Sequence, residues 1–284
     1  PKIKVITTFH SMDRKHEKWG LIAKLILRFG EYTACKFSHT LIAVSPTIEQ
    51  YARDVYDIKA IYIPNGVPLY EKSDKNELLS QWGLTPKNYA LMVSRLIPHK
   101  GAHYLVDAWK ELSKENPELT DGKKLVITGD GYYTDAYVKN LKNRALGRAD
   151  IIFTGFQNGD VLASLFSHAL FQVHPSDNEG LPICVLEGMS YSLPVLLSNI
   201  PEHRDLIEGN GNLFQYGSVR ALKQKLAEFL ALPQIELNKK GKANRRIIET
   251  RYTWEKILAA TVEIYQEKSN AAITANLQKN PLAA

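Results

Sequence analysis

Two glutamates bracket a mostly apolar run, EGLPICVLE, from Glu179 to Glu187. A carboxylate inside such a run costs free energy unless something binds it. Vicinal hydroxyls could supply two donors to one carboxylate. Equally, Glu187 could be an exposed helix residue and Glu179 an arbitrary loop acid. A second candidate is VSRLIPHKG, residues 93–101, where Arg95 and Lys100 bracket a turn between a strand and a helix. The free N–H groups and dipole of that helix favour an anion, and two cations beside it add to the effect. The arrangement suits a diphosphate, or it is ordinary surface charge. It is not a P-loop, because GxxxxGK[ST] is absent. A third candidate is ITGDGYYT, residues 127–134, where Gly129 and Gly131 follow a strand. Thr134 breaks the dinucleotide fingerprint G-x-G-x-x-G, so the glycines let the backbone turn or let a ligand come close. The fourth is His10, directly after the first strand, which could exchange protons near neutral pH or be a loop residue of no consequence.

Other chemistries lack their patterns. His99 and His103 stand four apart, but no H-E-x-x-H completes a metal site, and no metal is expected. A G-x-S-x-G nucleophile motif is missing, and so is any RNP or zinc-finger pattern for nucleic acid.

These residues need elements to position them. Short apolar β-rich runs at 4–9, 41–45 and 60–64 alternate with helical patterns at 17–38 and 46–56. In the first helix Trp19, Ile22, Leu25, Ile26 and Phe29 recur at roughly i, i+3, i+4 spacing, which predicts a buried helix with a basic rim. Pro46 suits a first helical position, and Asn65-Gly66 signals a turn. After an irregular stretch at 67–76, strands are predicted at 89–94, 124–129, 151–155, 170–176 and 194–198. Helices are predicted at 101–115, 134–145, 158–167, 182–191, 202–208, 218–230, 234–250 and 253–268. Pro182 suits the start of its helix, which leaves Glu179 in the loop after a strand end. The alternation predicts an α/β protein of two doubly wound, parallel-sheet, Rossmann-like domains. In such sheets ligands bind at the carboxyl ends of strands, where all four candidates lie. The expected division is a partial first domain at 1–68, a second domain at 69–250, a returning helix at 251–268 and a tail at 269–284.

Composition bounds the rest. The 284 residues are 44% hydrophobic and 23% charged, as in a soluble globular protein. No apolar run of 18 residues exists, and PKIKVITTFH lacks the features of a signal peptide. Two distant cysteines, Cys35 and Cys184, argue against a disulfide framework and fit a cytoplasmic protein. The net charge is +6, and +4 of it falls within residues 1–66. Arg14, Lys15, His16, Lys18, Lys24 and Arg28 could hold an anionic substrate. They could also bring the 14–36 helix to the inner face of a membrane, or form a solvated face.

Taken with their surrounding words, the four features resemble retaining glycosyltransferases of the GT-B fold, of the family-4 (glycosyl transferase group 1) type. The match runs from about residue 4 to residue 267. SRLIPHKG is similar to the family's GRLxxxKG. PSDNEGLPICVLEGMSYSLPVLLSNIPEHRDLI is similar to its PSxxEGFGxxxLEAMAxGxPVVAS segment, which includes the E-x7-E motif. RYTWEKILAATVEIYQ resembles the final helices that cross back to the first domain. The opening from His10 to Ser45 resembles members that build bacterial surface polysaccharides.

The resemblance implies a transferase that moves a sugar from a nucleotide-diphosphate donor to a glycan or lipid-linked acceptor. It implies neither metal nor cofactor. Arg95 and Lys100 would hold the diphosphate and stabilise it as leaving group, with Gly129 and Gly131 at the donor. Glu187 would accept hydrogen bonds from the ribose. Glu179, with the backbone of Gly180, Leu181, Pro182 and Ile183, would meet the transferred sugar, and His10 would sit near sugar and acceptor. The chain departs from the pattern at Leu181-Pro182, where the family more often has Phe-Gly, and at Ser192-Leu193. The family's early glycine-rich loop is missing, so a truncated, incomplete first domain is expected. A non-catalytic nucleotide-sugar-binding module is the alternative. A nicotinamide oxidoreductase and a phosphate-sugar epimerase fit less well, because their motifs are absent.

Overall fold

The structure, a computed structural model, describes residues 4–12, 20–207 and 212–266. The chain divides into two units by its contacts. Unit 1 takes Pro1–Val67, Glu179–Ile183 and Thr250–Ala284, and unit 2 takes Pro68–Asn178 and Cys184–Glu249. The loop 179–183, read above as part of a continuous second domain, thus groups with the first.

Unit 1 begins with β1 (Ile6–Phe9), α1 (Leu21–Phe37), β2 (Thr40–Ala43), α2 (Pro46–Tyr56) and β3 (Ile61–Tyr62). The three strands form a parallel sheet in the order β1-β2-β3. Ser45 caps α2 by accepting the backbone N–H of Ile48 at 3.3 Å, and Pro46 opens the helix as its fixed φ allows.

Unit 2 contains β4 (Tyr89–Val93), α3 (Ala102–Glu115), α4 (Pro117–Thr120), β5 (Lys124–Thr128), α5 (Asp135–Arg144) and β6 (Ile151–Gly155). It continues with α6 (Gly159–His168), β7 (Phe171–His174), α7 (Ile183–Ser190), β8 (Val195–Ser198) and α8 (Pro201–Ile207). The last elements are β9 (Leu213–Phe214), α9 (Val219–Ala231) and α10 (Gln234–Ile247). Its six strands are all parallel, in the order β6-β5-β4-β7-β8-β9. The chain returns to unit 1 with α11 (Trp254–Tyr265).

Both faces of the large sheet are covered. One core joins Met92, Leu105, Trp109, Leu125, Ile127 and Leu226, and a second joins Leu91, Val126, Leu165, Phe166 and Tyr191. Burial on both faces explains why the central strands read as continuous apolar runs. In unit 1, Ile42, Ile61 and Ile63 of the sheet region pack with Ile257, Ala260 and Ile264 of α11. Gly66 is small where it must be, since a Cβ there would lie 3.0 Å from the Trp254 ring.

One expectation is overturned. The apolar residues of α1 do not form a buried face. Cys35 is its one buried residue, and Ile22, Leu25, Ile26 and Phe29 are each at least 65% exposed. The helix lies on its unit through a different side, where Ala23, Leu27, Glu31 and Ala34 are half-buried. Periodicity finds a helix's apolar stripe but not the surface that covers it. Arg14, Lys15, His16, Lys18 and Trp19 lie outside the described residues, as does the tail expected at 269–284.

Candidate functional site

The strand order of unit 2 creates its site. From β4 the chain builds outward through β5 to β6, then crosses back to lay β7 on the other side of β4. The loops leaving β4 and β7 therefore run in opposite directions, which opens a crevice at the carboxyl ends of the two strands. Arg95 and Lys100 lie in the loop after β4.

That loop is firmly held. Leu96 and Ile97 are 1% and 3% exposed, so they anchor the turn while Arg95 between them and the strand stays exposed. The N–H of Leu96 donates to the Asp130 carbonyl at 2.8 Å, and Thr134 Oγ1 donates to the Leu96 carbonyl at 2.8 Å. On the other side the Asp177 N–H and Ser176 Oγ both donate to the His99 carbonyl, at 2.9 and 3.1 Å. The loops after β4, β5 and β7 are thus knitted together. Two glycines permit this. A Cβ on Gly101 would stand 2.2 Å from the Pro175 carbonyl oxygen, and one on Gly129 would stand 1.8 Å from that of Ser94. Both glycines also have positive φ, 72° and 132°. Gly131 sits in the same loop as Gly129, its N–H donating to Asp130 Oδ1 at 2.8 Å.

The Arg95 carbonyl accepts from the Ile97 N–H at 3.0 Å and from Ser94 Oγ at 3.1 Å, while its guanidinium has no hydrogen-bond or ion-pair partner among the described residues. Lys100 is half-buried at the end of a short 3-10 turn, Pro98–Lys100. α3 follows at once. His99 and His103 are separated by the turn at Gly101, so they do not share a helix face. His103 Nδ1 instead pairs with the Tyr137 hydroxyl at 3.0 Å.

Glu187 lies on α7, which rests on β7. Gln172 Nε2 donates to the Cys184 carbonyl at 2.9 Å, and a Cβ on Gly188 would meet Gln172 Oε1 at 1.9 Å. Burial pushes the Glu187 carboxyl above its ordinary range, and no described residue offers that carboxylate a hydrogen bond or an ion pair. Two stacked tyrosines, Tyr70 and Tyr191, lie 4.8 Å apart at the ring centroids. Burial raises both hydroxyl pKa values, Tyr191 to about 12, and the charge of Glu187 adds to each rise. Tyr70 and Gln172 were not foreseen from sequence, because each acts through a partner distant along the chain.

The loop 179–183 groups with His10 in unit 1. A Cβ on Gly180 would lie 1.8 Å from the His10 carbonyl oxygen, so only glycine lets the two backbones touch. Asn65 Nδ2 donates to the Leu181 carbonyl at 3.3 Å. That contact gives the Asn65-Gly66 turn a second role that its local sequence did not disclose. Glu179, Gly180, Leu181 and Pro182 are buried, Ile183 is half-exposed, and the His10 side chain is exposed. The α7 helix opens at Ile183, one residue after Pro182.

The parallel sheets and this switch-point site define a Rossmann-like α/β protein with a ligand crevice. Solved structures share the fold, which is that of the GT-B glycosyltransferases. Anabaena HepE in complex with UDP and glucose aligns with a TM-score of 0.79 and 21% identity, over 93% of this chain and 71% of that one. TarM of S. aureus aligns with a TM-score of 0.73 and 17% identity, over 93% of this chain and 51% of that one, in a complex with UDP, fondaparinux and α-GlcNAc-glycerol. The family described as "Glycosyl transferases group 1" matches residues 74–251, and "Glycosyltransferase Family 4" matches residues 1–71. The chain belongs to the glycosyl transferases group 1 family.

Its relatives by sequence include an uncharacterized glycosyltransferase of Methanocaldococcus jannaschii, 26% identical over 93% of this chain and 69% of that protein. Another is the UDP-Gal:alpha-D-GlcNAc-diphosphoundecaprenol alpha-1,3-galactosyltransferase of Escherichia coli, 31% identical over 72% of this chain and 54% of that protein. The chain spans 62 to 69% of the length of the first three curated relatives it matches. Among the described residues no helix is long and apolar enough to cross a membrane.

Proposed function

We propose that this chain takes part in transferring a sugar, with retention of configuration, from a nucleoside-diphosphate donor to a glycan or lipid-linked acceptor in cell-surface polysaccharide synthesis. The observation that carries the donor reading is Glu187. It is a desolvated carboxylate without a partner among the described residues, on the helix after the strand whose loop is bonded to the loop that carries Arg95 and Lys100. Such a carboxylate is stabilised when two hydroxyls donate to it, and a ribose offers two. Arg95 and Lys100 take the diphosphate, with the first N–H groups of α3 and the close backbone at Gly129 and Gly131. Glu179 and the backbone from Gly180 to Ile183 meet the transferred sugar, and His10 meets the sugar and the acceptor.

In the transfer, the bond between the anomeric carbon and the diphosphate oxygen breaks and the acceptor hydroxyl oxygen bonds to that carbon. The acceptor's proton passes to the departing diphosphate. Negative charge grows on the leaving group, and two cations beside it lower the barrier by stabilising that charge. They supply the charge stabilisation that a divalent metal would otherwise supply. Calorimetry with nucleoside diphosphates, followed by a donor-coupled transfer assay, tests this reading. Lys100→Ala and Glu187→Gln should each lose tenfold or more in affinity. Unchanged binding in both variants would sink the donor assignment. Binding without turnover in any acceptor screen would favour a non-catalytic binding module, which the partial coverage of the relatives also allows.

A contact with an anionic membrane surface at the inner face of the cytoplasmic membrane belongs to the same proposal. The exposed apolar side of α1 carries Leu21, Ile22, Leu25, Ile26 and Phe29. Lys24, Arg28 and Lys36 lie on the same helix, Glu31 is turned to the Tyr51 and Tyr56 hydroxyls, and Asp54 and Asp57 line the groove beside Leu25 and Phe29. The apolar side with the helix's own basic residues suits a helix lying in an anionic lipid interface. Co-sedimentation with phosphatidylglycerol vesicles should fall on Ile22→Glu with Leu25→Glu. Equal sedimentation of variant and parent, or none with the parent, would remove the membrane from the proposal.

A further inference from the structure

Gln172 stands in β7 and is fully buried. Its neighbours across the sheet are Leu91 of β4 and Val195 of β8, both apolar and fully buried. An amide in such surroundings costs free energy unless its polar atoms are bonded. Only half of this one is served. Nε2 donates to the Cys184 carbonyl at 2.9 Å, which also fixes which end of the amide is nitrogen. Oε1 is buried and accepts from no group among the described residues. A methionine would fill the same space without that cost, so stability does not account for glutamine here.

Helix α7 is shaped to the amide. Gln172 reaches it at Cys184 and at Gly188, four residues and about one turn apart. A Cβ on Gly188 would lie 1.9 Å from Oε1 and 2.9 Å from Cδ, so the amide occupies the place of that side chain. Glycine inside a helix is unfavourable relative to alanine. The family segment quoted above carries alanine at this place and again two residues on, at Ser190. Ser190 has its own contacts. Its Oγ donates to the Pro68 carbonyl at 2.7 Å and accepts the Tyr70 N–H at 2.9 Å. Arg245 Nη1 donates to the carbonyls of Tyr70 and Ser190, both at 2.6 Å. Both departures thus hold α7, one against the sheet and one at its carboxyl end. Glu187 precedes Gly188 and leaves the helix about 100° round from it.

We propose that Gln172 is a positioning residue for Glu187, admitted to its place by Gly188. The inference rests on the donor reading above and adds a residue that acts through another. A carboxylate takes two vicinal hydroxyls only where both meet its oxygens at hydrogen-bond distance and angle. A small slide or roll of the helix that carries it loses that geometry. Apolar packing of a helix on a sheet resists such a slide weakly, because the hydrophobic effect has no direction. An amide bonded to α7 at Cys184 and pressed on Gly188 sets both the depth and the rotation of the helix. The unbonded Oε1 follows from that fit, since a group donating to it would stand between strand and helix and push α7 outward.

The test is calorimetry on the full chain with a ribonucleoside diphosphate, its 2′,3′-dideoxy analogue and inorganic pyrophosphate as probes. The parent should prefer the ribonucleoside diphosphate to the analogue, and Glu187→Gln should lose that preference. Gln172→Met should melt no lower than the parent, weaken the ribonucleoside diphosphate about tenfold and leave the other two probes unchanged. Gly188→Ala, whose Cβ evicts the amide, should change the probes in the same way. It attacks the contact from the helix side and decides the matter if Gln172→Met does not fold. Either variant keeping the parent's preference, while Glu187→Gln loses it, would overturn the positioning role and leave the donor reading standing. Equal loss of all three probes would also overturn it, as a mark of general distortion. A parent that binds no probe, or binds the dideoxy analogue as well as the ribonucleoside diphosphate, would overturn the donor reading and this inference with it.

Discussion

Two helices of similar length show how differently the two units are built. In unit 2, α3 buries Ala102, Leu105, Val106, Ala108, Trp109 and Leu112, all at 1% exposure or less. In unit 1, α1 has an equally apolar stripe and buries only Cys35. The sheets beneath explain the difference. α3 lies against a six-stranded sheet and also packs on α5 and α9, whereas α1 has a three-stranded sheet and α2. An apolar stripe stabilises a fold only in proportion to the area that something else removes from water, roughly 25 cal/mol per Å². Among the described residues, the same pattern that builds a core in one unit therefore remains a surface in the other.

The largest expected effect breaks this contrast directly. Trp109 is fully buried and its Nε1 donates to Asp150 Oδ2 at 2.9 Å, so Trp109→Ala should cost about 3–5 kcal/mol in urea denaturation. Leu25→Ala on α1 should change stability by no more than about 0.5 kcal/mol. A cost near that of a core residue at Leu25 would show that α1 is covered in solution, and the contrast would fail.

Backbone contacts sharpen the comparison next. Gly101→Ala in unit 2 meets the Pro175 carbonyl, and Gly180→Ala in unit 1 meets the His10 carbonyl. Both should destabilise, each by about 1–3 kcal/mol, because a backbone cannot rotate out of the way as a side chain can. Gly101 adds the left-handed penalty of φ 72° and should be the worse of the two. Thermal melts that rank Gly180→Ala as harmless would mean that the loop 179–183 is not held as described.

A smaller effect couples stability to function. Burial raises the folded-state pKa of Glu187 above its ordinary value of 4.5. The folded state then binds more protons than the unfolded chain as pH rises through that interval, so this group's contribution to stability falls with increasing pH. Glu187→Gln should abolish that loss and stabilise the chain at pH 7, while weakening nucleotide binding. A variant that is less stable at pH 7 would mean that the carboxylate already has a structural partner.

The smallest effect belongs to Lys87, far from the candidate site. Its ammonium donates to the Ser167 and Ala169 carbonyls, and burial, with the charge of Lys72 adding to it, pulls its pKa down to about 8. Between pH 8 and the ordinary 10.5 the unfolded chain binds the extra proton, so stability should rise with pH across that window. Lys87→Met should flatten the rise. An unaltered slope would assign it to other groups.

Much of unit 2 was legible because its strands are buried on both faces. KLVIT and IIFTG announce themselves as short apolar runs bounded by turn residues, and they form β5 and β6 within a residue of expectation. Leu213–Phe214 escaped notice as a strand because two residues carry no periodicity. The helix expected at 234–250 ends at Ile247 and passes into a π-helical turn over Ile248–Tyr252, a change that local propensity does not record. Among the site residues, Arg95, Lys100, Glu179 and Glu187 stood out as charges at strand ends or in apolar runs. Asn65, Tyr70 and Gln172 did not, since each acts on a segment brought near only by the fold.

The amino-acid order by itself determined the alternation of strands and helices, the charges at the strand ends and the family pattern, because these depend on neighbours within a few residues. Only the tertiary structure decided which apolar stripe is buried, which glycines are pressed against another backbone, and that Glu187 is desolvated without a partner among the described residues. Those are properties of surfaces that meet across long stretches of chain, and no local spacing encodes how much water each surface loses.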